Sequence, residues 1–354
     1  MTNAMPGSAL PQTGRSAIWV ANNVIGIRDV PVVAPGPGEL IVRIRAAGIC
    51  GSDLHAFHSD SPRQHKAGIG PGHELAGEVV ALGPGVAGPA PGTRVAVFPG
   101  RTCTTCTFCR SGRLQLCTGL RFAGASYPGG MGEYFLAQAG LVYLIPDGMD
   151  WTVAALSEPC AISLHGLKRA GVAPGQRVLV IGAGTIGLFA ALVARDAGAS
   201  HIGITARYPQ QAAAARSLEV QEVLDPADVG PGGAAASGNW DLVVETVGGS
   251  APTLQQAIDL AARGGKVLLL GIHTVPQTII TTRVWLEELT IVGAWGYDHG
   301  SPRADYDDTL ALLQKYHELV APLVTHTFPL DRAADAFAAS VDKRSGAIKV
   351  TVLP

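Results

Sequence analysis

Two patterns of apolar residues divide the chain. Between residues 17 and 150 the runs IVRIRAAGI (41–49), LAGEVVALG (75–83) and TRVAVFP (93–99) are short, rich in β-branched residues and bounded by glycine and proline, a pattern that predicts strands. GPGVAGPAPG (83–92) is turn chemistry between two of them. No helix of length is expected before Trp151–Ala170. The pattern then changes. RVLVIG (177–182), HIGIT (201–205), EVL (222–224), DLVVET (241–246), KVLLLG (266–271) and LTIVG (289–293) are unbroken apolar runs, as for strands buried on both faces of a parallel sheet. Helical stretches are predicted between them at Thr185–Ala197, Pro209–Leu218 and Thr253–Ala262. Strands alternating with helices mean βαβ units, and six strands complete a doubly wound α/β domain. The expected division is a β-rich domain over 1–157, with a frayed tail at 1–16, then the doubly wound domain over 158–302. The remainder, 303–354, carries a helical segment (DYDDTLALLQKYH) and a strand pattern (AIKVTVL) that returns to the first domain.

Composition narrows the function. At 354 residues two domains are the prior. The net charge of −2 argues against a basic nucleic-acid surface and a polybasic membrane anchor. No run of 18 apolar residues is present, and the first residues lack a secretory pattern, so a cytoplasmic location is the default. Six cysteines in a reducing compartment read as metal ligands or core residues.

VLVIGAGTIG places Gly182, Gly184 and Gly187 after a strand and at a helix start, with Thr185 and Ile186 between them. In that context the pattern predicts dinucleotide binding on a Rossmann fold. Gly182 permits the turn, Gly184 lets backbone approach a pyrophosphate, and Gly187 lets helix and strand pack. An acid for the ribose 2′-hydroxyl belongs about twenty residues on. That position falls on Thr205–Arg207, and no acid occurs between Asp196 and Glu219. An arginine pairs with a 2′-phosphate, so Arg207, with Thr205 and Tyr208 beside it, predicts NADP(H) over NAD(H).

TCTTCTFCRSGRLQLC carries Cys103, Cys106, Cys109 and Cys117. The spacing suits one tetrahedral zinc in a closed, structural shell within a lobe at 100–118. An iron–sulfur cluster uses similar spacing but ends differently, and disulfides do not suit the cytoplasm.

Two motifs remain, Cys50-Gly51-Ser52-Asp53-Leu54-His55 and Gly72-His73-Glu74. With GGMGEYFLAQ, SEPCAISLHG, the cysteine loop and GAGTIG, their order resembles the zinc-containing medium-chain dehydrogenase/reductase family, the alcohol, polyol and threonine dehydrogenases. The resemblance covers roughly 17–354 and implies a GroES-like catalytic domain beside the Rossmann domain. It also implies that Cys50 and His73 ligate a catalytic zinc. The third protein ligand is Glu158 or Glu74, with Glu74 favoured at rest. Asp53 would orient His73, Ser52 would hydrogen-bond the substrate oxygen, and His55 would lead the proton to solvent. Lys349 matches a basic residue that contacts the cofactor pyrophosphate, and Cys160 reads as packing. Such a zinc lowers the pKa of an alcohol, so that hydride can pass to nicotinamide.

The expected reaction joins NADP(H) to a secondary alcohol or ketone of a cyclic, sugar-like or secondary-metabolite class. Gly296 stands where polyol members carry an arginine, against a simple sorbitol-like substrate. Trp295, Tyr297, Phe57 and Phe98 are candidates for an aromatic pocket, with His58 and Tyr127 adding polar contacts. The alternatives are an NAD-dependent polyol or amino-alcohol dehydrogenase and a zinc-independent enone or quinone reductase. A non-enzymatic nucleotide-binding protein is a third. The four-cysteine lobe together with the Cys/His ligands weighs against the reductase, and intact Cys50, His73, Glu74 and Glu158 weigh against the non-enzymatic reading. Two zinc ions per chain and a homodimer or homotetramer pairing near 289–293 are expected.

Overall fold

A computed structural model of the protein describes residues 10–58, 69–229, 239–299 and 304–354. Six parallel strands form one sheet in the order Glu222–Leu224, His201–Thr205, Arg177–Ile181, Trp240–Glu245, Ala261–Leu269, Thr290–Gly293. The chain moves outward one way from Arg177–Ile181 and then returns to its other side at Trp240–Glu245. That reversal opens a crevice at the carboxyl ends of the strands. The unbroken apolar runs are explained by two cores, one on each face. Val178, Val180, Ile204 and Val244 pack with helices Ser157–Ala170 and Thr185–Asp196. Leu179, Val243 and Val267 pack with Thr253–Leu260.

The second sheet runs Val324–Pro329, Lys349–Leu353, Glu39–Gly48, Glu74–Leu82, Arg94–Val97, Val142–Leu144, with Tyr134–Gln138 also pairing Glu39–Gly48. The last strand of the chain therefore lies beside one of the first, with Thr351 opposite Gly48.

Four details differ from the sequence reading. The expected tail at 1–16 lies partly outside the described residues, and Thr13–Ser16 belong to strand Thr13–Ala21, paired to Val24–Pro31. The helix expected over Trp151–Ala170 is two, Trp151–Ala155 and Ser157–Ala170, because the ring of Pro159 would clash with the carbonyl four residues earlier in an unbroken helix. Ala261 and Ala262 open a strand instead of closing a helix. Gly51–His58 forms an eight-residue helix where none was expected.

Asp305 ties two helices together. Its buried carboxylate accepts from His165 Nδ1 at 2.8 Å, Lys168 Nζ at 2.8 Å and the Asp298 amide at 2.6 Å. Burial works to raise this carboxyl, but the bonds from His165 and Lys168 prevail and hold it below its ordinary value of 3.8. Replacing Asp305 by asparagine is expected to lower the unfolding free energy at pH 7 by about 2–4 kcal/mol. A carboxyl lowered by folding contributes stability that is present above its unfolded pKa and lost as pH falls through its folded one. The gap between wild type and variant in urea denaturation should therefore shrink on acidification below about pH 4.

Candidate active site

Strand register builds the first cluster. Gly48, at the end of one strand, pairs with Glu74 at the start of the next. Cys50 follows the first strand and His73 precedes the second, so the two side chains meet. Cys50 Sγ, a His73 ring nitrogen and a Glu74 oxygen all lie within 4.8 Å of one another. A Cβ on Gly48 would collide with the Glu74 carboxylate, so glycine makes room for it. Asp53, in the first turn of the helix opened by Cys50, accepts from the Cys50 amide at 3.0 Å and stands 3.6 Å from His73 Nδ1. The other ring nitrogen, Nε2, is 3.5 Å from Ser52 Oγ.

The charges around this cluster favour a cation. Burial alone would lower the pKa of His73, but Asp53 and Cys50 hold it well above its ordinary value. Burial, reinforced by Glu74, pushes Glu158 up to about 7, against the pull of His73. Lys349 is 3% exposed, and its ammonium reaches both Glu74 oxygens at 2.6 Å and the Ile49 carbonyl at 3.0 Å. Thiol, imidazole and carboxylate converging from three directions form a catalytic-type donor set for zinc, whose bonds to N, O and S span roughly 2.0–2.3 Å. These residues fit that ion.

Glu158, at the start of helix Ser157–Ala170, accepts from Tyr297 OH at 3.3 Å and is not one of the three clustered donors. It shares with Cys50 and His73 a cavity of about 200 Å3, whose other walls include Phe122, Ile162, Thr246, Val247, Leu270, Ile272 and Trp295. His55 and Ser52 also open onto it. A second cleft joins Cys50, Glu74 and Lys349 to Gly184, Thr185, Ile186 and Thr246.

The glycine loop has the shape its sequence predicts. Gly182 has φ +105°, and a Cβ on Gly187 would collide with the Gly182 carbonyl. Thr205 is buried, and its hydroxyl accepts from the Gly182 amide at 2.8 Å, so it braces the loop from the neighbouring strand. Thr185 donates to the Ile348 carbonyl at 3.3 Å. Arg207 is exposed just past strand His201–Thr205, its guanidinium 5.7 Å from the Tyr208 ring.

The four lobe cysteines also converge, their sulfurs all within 4.8 Å. Three of the separations are 3.5, 3.5 and 3.9 Å, against roughly 3.8 Å for the edge of a tetrahedron with 2.3 Å zinc–sulfur bonds. Main-chain amides of Cys103, Cys106 and Cys109 point at sulfurs. Amides of Cys109 and Thr118 pull Cys106 down to about 6, while burial among the other sulfurs pushes Cys109 up to about 12. The set fits a structural zinc.

Several expectations need correction. Lys349 lines the cleft beside the glycine loop, and its ammonium is bonded to Glu74. Phe57 packs on Trp19 and Phe337 in the core. Phe98 packs edge-on against Tyr297 and is buried, as is Tyr127, which donates to the Pro99 carbonyl. His58 is bonded to Asn23. Of the four aromatic candidates only Trp295 and Tyr297 line the cavity. Phe122, which the sequence reading missed, stands 5.4 Å from the His73 ring and 6.1 Å from Trp295. Its only sequence signal was its place soon after the cysteine loop.

Residues 36–147 match the alcohol dehydrogenase GroES-like domain and residues 185–315 the zinc-binding dehydrogenase domain. Sorbitol dehydrogenase of Gallus gallus is 32% identical over 350 residues, covering 96% of each chain. A structure described as a zinc-binding dehydrogenase of Sinorhizobium meliloti 1021, bound to NADP, superposes with a TM-score of 0.86 at 29% identity, covering 97% of this chain and 100% of that one. Acetophenone reductase of Geotrichum candidum in complex with NAD gives 0.84 at 25% identity, covering 98% and 99%. The chain belongs to the zinc-containing medium-chain dehydrogenase/reductase family, the oxidoreductases of zinc-type alcohol dehydrogenase kind.

Proposed function

We propose that the protein is a zinc-dependent NADP(H) oxidoreductase that interconverts a secondary alcohol and its ketone. The observation that carries this is the shared cavity. It brings Cys50, Ser52, His73 and Glu158 together with the loops at the carboxyl edge of the nucleotide-type sheet. A bound zinc supplies Lewis acidity to the substrate oxygen, and a bound nicotinamide accepts or gives hydride. Cys50, His73 and Glu74 would hold that ion, and Asp53 fixes the ring of His73. Ser52 Oγ would accept the alcohol proton as it gives its own hydroxyl proton on toward His55, on the same helix, which would release it to solvent. Tyr297 holds Glu158 close but apart from the cluster. Lys349 holds Glu74, so either Glu74 gives up part of this bond to ligate or Glu158 takes its place. The lobe cysteines would bind the second zinc.

Arg207 carries the cofactor preference. Replacing it by alanine should weaken NADPH binding by about tenfold to a hundredfold, the worth of a charged hydrogen bond or two, and leave NADH within about threefold. Nicotinamide fluorescence titrations of wild type and variant test this, and tighter binding of NADH by the wild type would refute it. The polyol part of the NAD-linked alternative draws support from the sorbitol dehydrogenase relative. Turnover of polyols with NAD, in preference to ketones with NADPH, would favour it.

The edge strand Thr290–Gly293 bears exposed Ile291, near Trp285 at 75% and Leu286 at 63% exposure. An open edge with apolar neighbours favours pairing with a second copy. We assign a homodimer or dimer of dimers. Ile291→Lys should shift the sedimenting species toward monomer, and an unchanged distribution would count against this edge. Among the described residues no helix is long and apolar enough to cross a membrane. A reducing cytoplasm suits the clustered thiols.

A further inference from the structure

Glu245 is wholly buried at the end of strand Trp240–Glu245. Its Oε1 accepts three bonds, from the Val247 amide at 2.8 Å, the Gly248 amide at 2.9 Å and Thr253 Oγ1 at 2.7 Å. Its main-chain carbonyl accepts from the amides of Leu270 at 2.9 Å and Gly271 at 3.0 Å. One residue thus grips two loops, 246–249 and 270–273. A Cβ on Gly271 would collide with Glu245 Oε2, so the second loop lies directly on the carboxylate. Gly249 and Ile272 add a 2.8 Å backbone bond between the loops. Glu245 Oε2 and both ring nitrogens of His273 are buried and make no hydrogen bond, and Nε2 stands 3.5 Å from Oε2. A buried carboxylate oxygen left uncompensated is costly, and an imidazole at this distance supplies the compensation.

We propose that Glu245 and His273 form a buried pair that positions the wall against which the nicotinamide ring lies. This rests on the reading of the shared cavity as the nicotinamide site. Hydride transfer needs the ring beside the Cys50–His73–Glu74 cluster, and the two gripped loops supply Thr246, Val247, Leu270, Gly271 and Ile272 to that same cavity. Glu245 touches neither substrate nor cluster, so it is a positioning residue. Loss of the pair loosens the side-chain packing of loop 270–273 on Glu245 and lets the wall shift, although the backbone bonds between the loops remain. The ring then loses its fixed wall, while the adenosine end keeps Arg207, which lies past a different strand.

The test compares two probes on the full-length, zinc-replete protein: NADPH, followed by nicotinamide fluorescence, and 2′,5′-ADP, which carries only the adenosine half, followed by calorimetry. Glu245→Gln and His273→Gln are each expected to weaken NADPH about tenfold and 2′,5′-ADP by less than about twofold. The double variant should bind NADPH no worse than the weaker single variant, because the two residues act as one unit. Should Glu245→Gln not fold, His273→Gln decides alone, since its side chain is 14% exposed and sits on a loop, not at the end of a core strand. Equal losses for both probes, additive losses in the double variant, or unchanged NADPH affinity would each overturn the proposal. Failure of the wild type to bind NADPH or NADH would sink the cofactor reading itself, before any variant is compared.

Discussion

Replacing His73 by alanine is expected to lower kcat/KM about a thousandfold or more, a loss of roughly 4 kcal/mol of transition-state stabilisation. The reason lies in the cluster. His73 is one of three convergent donors, is 5% exposed, and is braced by Asp53 on its other nitrogen. Without it the thiol of Cys50 and the carboxylate of Glu74 remain, too few to hold an ion against Lys349, which already claims Glu74. Binding of NADPH should persist, since its expected contacts lie on the glycine loop and at Arg207. Zinc content by elemental analysis should fall from about two per chain to about one. A variant that keeps both its zinc and its rate would remove His73 from the machinery.

The second large effect belongs to the cysteine lobe. If the lobe cysteines hold a zinc, replacing Cys106 by serine is expected to abolish that binding and to lower the unfolding free energy by several kcal/mol, on the order of 3–5. The lobe has little apolar core of its own. Leu114 and Cys117 are buried, whereas Cys103 and its neighbours Thr104 and Thr105 are exposed. The damage should also reach the substrate cavity. The His299 amide bonds the Gly112 carbonyl at 3.1 Å, and Gly296 lies so close to Gln115 that a Cβ there would come within 2.8 Å of it. Denaturant unfolding and KM for the ketone should therefore worsen together. Loss of stability with an unchanged KM would separate lobe from pocket.

Much of this fold was legible because burial on both faces leaves unbroken apolar runs. The four inner strands of the parallel sheet could be read that way, while the edge strands Glu222–Leu224 and Thr290–Gly293 share the apolar pattern with more exposure. The cysteine spacing and the glycine loop were legible because metal and phosphate geometry constrain residues close together in sequence. What escaped was set by distant packing. Nothing local in RFAGAS marks Phe122 as a cavity wall, because its neighbours His73 and Trp295 come from elsewhere in the chain. Phe57 and Phe98 could not be told from pocket residues by type alone, as core and cavity both use aromatic rings. The break at Leu156 was visible in principle through Pro159. The anchoring role of Glu245 depends on a loop 25 residues later, and no motif announces it.

Zinc-dependent NADP(H) turnover is tested most directly by the rate of NADPH oxidation with a panel of ketones, before and after treatment with a chelator that strips zinc. The expected result is turnover at least about tenfold faster with NADPH than with NADH, abolished by stripping and restored by added zinc. Turnover that survives in zinc-free protein, or that prefers NADH, would contradict it.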